Sequence, residues 1–173
     1  MRELATEERI ERFFVALGKV ATTASRVYVT GGVSAVLLGF RPTTLDVDLK
    51  LQPDSDEVLR AIPRLKEELR LNVELAAPDQ FIPPLPGWQE RSRFIRQEGK
   101  LAFYHYDFYA QALAKLERGH RKDLLDVRGF VEAELVKRER LLELFGEIEG
   151  ELYRYPAIDA AEFRRVVEEW VGA

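Results

Sequence analysis

Cysteine is absent from this chain, which excludes a disulfide framework and any metal site built from thiolates. Long apolar runs are absent too, since none approaches the ~18 residues that a membrane-spanning helix needs. The first residues are charged from the second position onward, so they lack the apolar core of a signal peptide. We therefore expect a cytoplasmic protein with no membrane partner.

An excess of positive charge is also missing. The net charge of −4 gives no overall field that would attract nucleic acid. The charge is uneven, however, because the segment 91–122 holds eight basic residues against three acids. The basic residues are Arg91, Arg93, Arg96, Lys100, Lys115, Arg118, Arg121 and Lys122. Such segregation is typical of an anion-binding face, although a solvated protein surface gives the same pattern.

The chain does contain enough apolar sequence for a folded core, at 46% of its 173 residues. Alternating, β-rich stretches occupy its first part, and helical periodicity dominates after about residue 106. Asp54 with Glu57 predicts a capped helix start, and Pro63 predicts that the same helix is kinked or split there. Strands early and helices late predict an α+β fold, with a mixed sheet flanked by helices and a helical C-terminal part.

Two aspartates interrupt an apolar strand. Residues 45–51 read Leu-Asp-Val-Asp-Leu-Lys-Leu, which is the period-2 pattern of a strand. Asp46 and Asp48 therefore project from one face, while Val47 and Leu49 project from the other toward a core. Adjacent carboxylates repel each other, and a divalent cation such as Mg²⁺ or Mn²⁺ relieves that repulsion. An alternative is a purely structural pair at a strand edge.

A glycine pair precedes the aspartates. Gly31 and Gly32 follow a β-rich stretch that ends at Thr30 and precede a short helical stretch. Glycine lets the backbone approach a ligand closely, and Ser34 adds a hydroxyl in the first helical turn. We expect a phosphate cradle here, so a branched side chain at Gly32 should block a nucleotide with little effect on stability. A simple turn is the alternative interpretation.

These motifs together resemble a known signature. Thirteen residues separate "GG" from "DVD", which is similar to the DNA polymerase β-like nucleotidyltransferase superfamily. The stretches "TLDVDL" and "LAKLERGHRKDLLDV" resemble the bacterial branch that includes abortive-infection nucleotidyltransferase toxins and small uncharacterised relatives. The resemblance spans roughly residues 27–127. It implies a catalytic domain over residues 1–135, with residues 136–173 as a helical extension packed on it.

The resemblance also implies site residues. It assigns Asp46, Asp48 and a third carboxylate to the metal; Glu74 fits that third position best, and Asp79 is the rival. It assigns the triphosphate to the residues around the two motifs and to a following lysine and acid. These nucleotide-binding positions are Gly31, Gly32, Ser34, Thr44, Lys115 and Asp123. For the last two, a surface lysine and local ion pairs of Asp123 and Asp126 with Arg121 and Lys122 are the alternatives.

The implied activity is transfer of a nucleoside monophosphate from a nucleoside triphosphate to an acceptor hydroxyl, with Mg²⁺ or Mn²⁺ as cofactor and pyrophosphate as leaving group. A non-catalytic module that binds a partner protein, as in a toxin–antitoxin pair, is the alternative. A small molecule or RNA, such as a tRNA end, are the candidate acceptors. An RNA acceptor requires Arg91, Arg93, Arg96, Arg118, Arg121 and Lys122 to contribute to binding, and requires the hairpin residues Arg93 and Arg96 to lie on the Asp46–Asp48 side of the sheet.

Overall fold

The computed structural model describes residues 2–172. The chain divides into two compact units: the first comprises residues up to Ala77 together with Ser92–Tyr106, and the second comprises Pro78–Arg91 and the residues from Asp107 onward. The division therefore does not follow the domain boundary expected at residue 135. Helix Phe108–Arg118, before that position, contacts helices Arg138–Ile148 and Ala160–Gly172 beyond it, and all three belong to one unit.

The first unit is built on a five-stranded mixed sheet, which confirms the α+β prediction. Its strands are β2 (Ser25–Thr30), β4 (Asp46–Gln52), β5 (Asn72–Leu75), β6 (Arg93–Glu98) and β7 (Leu101–His105), and a separate two-stranded sheet pairs β1 (Ala5–Thr6) with β3 (Thr43–Thr44). The order is β5-β4-β2-β7-β6. Strand β4 runs antiparallel to β2 and parallel to β5, and β7 runs parallel to β2 and antiparallel to β6.

Three helices of this unit pack on one face of the sheet. They are α1 (Glu7–Val20), α2 (Gly32–Leu37) and α3 (Asp56–Leu69). Apolar side chains that recur at helical spacing in α1, such as Phe13 and Leu17, share a core with Val47 and Leu49 of β4. The alternate residues of β4 consequently point to the other face.

Helix α3 does not start where the sequence pattern predicts, and it is not split at Pro63. Its N-cap is Ser55, whose hydroxyl accepts the Val58 N–H, rather than Asp54. The Glu57 carboxylate accepts hydrogen bonds of 2.7 Å from the Thr22 N–H and hydroxyl, so the expected capping box does not form. Pro63 lies inside one continuous helix, because burial of the apolar face of α3 outweighs the lost backbone hydrogen bond.

The second unit is helical. It contains α4 (Trp88–Arg91), α5 (Phe108–Arg118), α6 (Arg121–Glu132), α7 (Arg138–Ile148) and α8 (Ala160–Gly172), with 3₁₀ turns at Pro78–Gln80 and Glu149–Arg154. Gly119 ends α5 with φ of 71°, a conformation that favours glycine. Within residues 2–172, no helix combines the length and apolar character that crossing a bilayer requires.

Candidate active site

The Asp46–Asp48 pair lies on the face of the sheet opposite helices α1–α3. The intervening Val47 and the following Leu49 are fully buried in the core, whereas both aspartates are only half-buried. Asp48 pairs across the antiparallel ladder with Thr30, the last residue of β2. The period-2 pattern therefore placed the two carboxylates side by side correctly.

The Gly31 turn lies directly against Asp48. Gly31 adopts φ of 68° and ψ of −133° at the start of α2, a conformation accessible mainly to glycine. A Cβ atom added to Gly31 would lie 3.1 Å from Asp48 Oδ2. Backbone and carboxylate thus meet at the end of β2.

Gly32 is required by packing inside the protein. A Cβ atom at this position would lie 1.9 Å from Thr44 Oγ1, closer than any tolerated contact. Thr44 is itself buried and donates a hydrogen bond of 3.3 Å to the Asp46 carbonyl. The expectation that a branched residue at Gly32 would leave stability unchanged is therefore wrong, and Thr44 links the glycine turn to β4.

Ser34 faces the core rather than a ligand. Its hydroxyl is fully buried and lies 2.9 Å from His105 Nδ1 on β7. Burial of the imidazole, reinforced by the positive charge of Arg93, lowers the pKa of His105 from 6.5 to about 4. The imidazole is therefore neutral at pH 7, and the structure gives the Ser34 hydroxyl a packing contact in place of the expected phosphate contact.

Glu74 lies beside the aspartates without forming a three-carboxylate cluster. It is exposed and pairs in parallel register with Asp48, while its neighbour Asn72 pairs with Asp46. The Asn72 amide donates to Asp46 Oδ1 and, at 3.1 Å, to Glu74 Oε1. Among the described residues, no group of three or more acidic or histidine side chains is arranged to hold a metal ion. The rival acid, Asp79, lies in a 3₁₀ turn of the second unit.

Lys115 occupies a buried ion-pair cluster in the second unit. Its ammonium lies 2.8 Å from Asp126 and 3.5 Å from Asp123. Asp123 also accepts hydrogen bonds of 2.6 and 2.8 Å from Arg118. Burial alone would raise the pKa of Asp123, but the Arg118 hydrogen bonds and the charge of Lys115 outweigh it and lower that pKa. The two aspartates thus pair with residues of α5, not with the adjacent basic residues expected from the sequence.

The hairpin arginines lie on the wrong face of the sheet for an acceptor at Asp46 and Asp48. Arg96 contacts Glu11 of α1 at 3.2 Å and Glu98 at 2.7 Å. Arg93 pairs with the buried His105 on the same face. A bulge between Phe94 and Arg96 shifts the register within β6. The expected alignment of these arginines with the aspartates is therefore wrong.

The remaining basic residues of segment 91–122 lie in different environments. Arg91 belongs to the second unit and donates hydrogen bonds of 2.8 and 3.1 Å to Asp107. Burial nevertheless raises the pKa of Asp107. Arg121 and Lys122 are exposed at the start of α6. Part of the local positive charge is thus already neutralised inside the protein.

The chain matches one known protein family. Residues 8–171 match the model of a family described as "Nucleotidyltransferase of unknown function (DUF6036)". The chain belongs to this family. No curated protein and no solved structure gives a significant match. Membership of DUF6036 supports the nucleotidyltransferase resemblance at the level of the family.

Sequence reasoning missed two residues of the site. The alternation of residues 71–75 puts Asn72 on the same face as Glu74, but its bridge to Asp46 depends on which strand lies beside β4. His105 has no local sequence signal, because its partner Ser34 is 71 positions away in the chain. Period-2 alternation in the stretch 71–75 was the signal that pointed to Asn72.

Proposed function

We propose that this DUF6036 protein transfers a nucleoside monophosphate from a nucleoside triphosphate to a hydroxyl group of a small acceptor and releases pyrophosphate. One observation carries the proposal: Asp46 and Asp48 share one face of β4, with Asp48 against the Gly31 turn. A small acceptor is preferred over RNA because the hairpin arginines lie on the opposite face.

The donor set fits a hard divalent cation. Mg²⁺ in phosphoryl-transfer sites is commonly bound by one or two carboxylates together with substrate phosphates and water, so a third protein carboxylate is not required. Asp46 and Asp48 would hold the ion. When bound, it would neutralise charge on the triphosphate and polarise the α-phosphorus.

The residues of the chain supply orientation and proton transfer. Because Gly31 carries no side chain, the backbone of its turn lets a phosphate group come close to Asp48. The acceptor oxygen forms a bond to the α-phosphorus while the bond from that phosphorus to the bridging oxygen breaks. Glu74, which is exposed next to Asp48 in the sheet, takes the proton of the acceptor hydroxyl.

For Lys115, contact with the triphosphate, including the pyrophosphate that leaves, stays a prediction. Its ammonium is already balanced by Asp126 and Asp123, so any stabilisation of the leaving group would compete with these ion pairs. For Ser34 we propose no substrate contact, because its hydroxyl is buried against His105.

The test is the double substitution Asp46→Asn with Asp48→Asn. We expect loss of Mn²⁺ binding, measured by titration calorimetry, and loss of transfer of labelled nucleotide to a panel of small hydroxyl compounds. The melting temperature should stay the same or rise, because a repulsive pair becomes neutral. Asp54→Asn with Asp56→Asn is the matched control, since these acids have the same spacing and are exposed away from the site.

Two results would contradict the proposal in different ways. Unfolding of the double variant would show that the pair is structural. Nucleotide binding by the wild type without any transfer to small compounds, protein or RNA would favour the non-catalytic binding module instead.

A further inference from the structure

Asn72 is the only asparagine in the chain, and it lies on β5 directly beside Asp46 of β4. Its side chain contacts three charged groups. The amide nitrogen donates to Asp46 Oδ1 and to Glu74 Oε1, and the side-chain carbonyl accepts a hydrogen bond of 2.5 Å from Arg2. Asn72 thus connects one member of the aspartate pair to the neighbouring glutamate.

The chemistry of these partners fixes the orientation of the amide. Ionised carboxylates only accept hydrogen bonds, and a guanidinium only donates them. If the amide of Asn72 were reversed, its carbonyl would face Asp46 and Glu74, and its NH₂ group would face Arg2. All three contacts would then be unfavourable, so the NH₂ group must face the carboxylates.

The hydrogen bonds from Asn72 to Asp46 and Glu74 affect which oxygens remain for a cation at the aspartate pair. Asp46 and Glu74 are like charges on adjacent strands, and one NH₂ group with two hydrogens satisfies one oxygen of each. Because Asp46 Oδ1 is engaged by Asn72, the bridge favours Oδ2 for a cation shared with Asp48. The same bridge directs Glu74 toward Asn72, which agrees with the absence of a three-carboxylate cluster among the described residues.

We propose that Asn72 is a positioning residue of the Asp46–Asp48 site. It fixes the rotamer of Asp46 and offsets the repulsion between Asp46 and Glu74. Hydrogen-bond partners of metal ligands typically change metal affinity or activity 10–100-fold when they are removed. This inference rests on the proposed function, because it requires a divalent cation at the aspartate pair.

The test measures Mn²⁺ binding by calorimetry and melting temperature with EDTA or Mn²⁺ for full-length variants. For Asn72→Ala we expect Mn²⁺ affinity to fall by about tenfold or more, with a melting temperature in EDTA close to that of the wild type. Gln97→Ala is the matched control: Gln97 is an exposed amide on the other edge strand, bonded to the Gly99 carbonyl at 2.9 Å. Its Mn²⁺ affinity should equal that of the wild type.

Asn72→Asp is a second variant, with a side chain of nearly the same shape. It tests the inference even if Asn72→Ala does not fold. It replaces the donor with a third carboxylate, so it should melt at a lower temperature than the wild type in EDTA and gain more from Mn²⁺ than the wild type does. A purely structural role predicts the same loss with and without Mn²⁺, which would overturn the inference.

The outcomes separate the inference from the function on which it rests. Unchanged Mn²⁺ affinity in Asn72→Ala, with binding still abolished by Asp46→Asn and Asp48→Asn together, overturns the role of Asn72 and leaves the proposed function standing. If the wild type itself binds no Mn²⁺, both are overturned.

Discussion

The buried His105 should make the stability of this protein depend on pH in a specific range. Its imidazole lies against Ser34 in the core, and burial together with Arg93 lowers its pKa to about 4 from the ordinary 6.5. A histidine with a lowered folded-state pKa is neutral in the native protein while the unfolded chain takes up a proton. Its contribution to stability is therefore fully present above pH 6.5 and is lost as the pH falls toward 4.

The size of the effect follows from the two pKa values. The difference between the ordinary pKa of 6.5 and the lowered pKa of about 4 corresponds to a loss of about 3 kcal/mol once the pH lies below both values. Between pH 7 and pH 5, where the unfolded state becomes protonated and the folded state does not, the same linkage gives a loss of about 2 kcal/mol.

The measurement is the free energy of unfolding in urea at pH 7 and pH 5, for the wild type and for His105→Gln. Glutamine keeps a polar group near Ser34 but does not titrate. Other groups that lose or gain protons in this range, including Asp107, whose pKa burial raises, are present in both proteins and cancel in the comparison. We expect the wild type to lose about 2 kcal/mol more than the variant.

If the free energies of unfolding of the two proteins change equally between pH 7 and pH 5, within about 0.5 kcal/mol, the lowered pKa of His105 is refuted. That result would mean that His105 titrates normally, and hence that its environment admits water or that a negative charge lies close to it. The contact with Ser34 would then not be part of a dry core.

Two further predictions concern residues that sequence reasoning had assigned to the nucleotide. Gly32→Ala should lower the free energy of unfolding by about 1–3 kcal/mol, because the new Cβ atom meets Thr44 Oγ1 at 1.9 Å; thermal melts compared with Gly146→Ala, where nothing lies within 4 Å, test this, and equal melting temperatures would contradict it. Lys115→Met should cost about 3–5 kcal/mol by leaving buried carboxylates unbalanced, and replacing Asp126 with Leu in the same protein should recover part of the loss in urea titrations; a neutral effect of the single variant would show that the ion pair is solvated.

Much of the local structure could be predicted from the sequence. The alternation of residues 45–51 was enough to place Asp46 and Asp48 on one face, because side chains of a strand alternate whatever lies beside it. The apolar residues at helical spacing in α1 and Gly119 at the end of α5 are local signals of the same kind. These features depend on residues within a few positions of one another.

Two predictions from local sequence were wrong because distant parts of the chain contact the residues concerned. The capping box at Asp54 did not form because the Glu57 carboxylate binds Thr22, 35 positions earlier. Pro63 did not divide α3, since packing against the sheet holds the helix together. Local propensity gave way to tertiary contacts in both cases.

By itself, then, the sequence determined the α+β class, the shared face of Asp46 and Asp48, and the glycine turn that precedes them. Only the tertiary structure decided that Ser34 belongs to the core, that Arg96 points toward α1, and that Asn72 bridges Asp46 to Glu74. The physical reason is the strand order: a period-2 pattern states which residues share a face, but which strand lies alongside is decided by long-range pairing that no local pattern encodes.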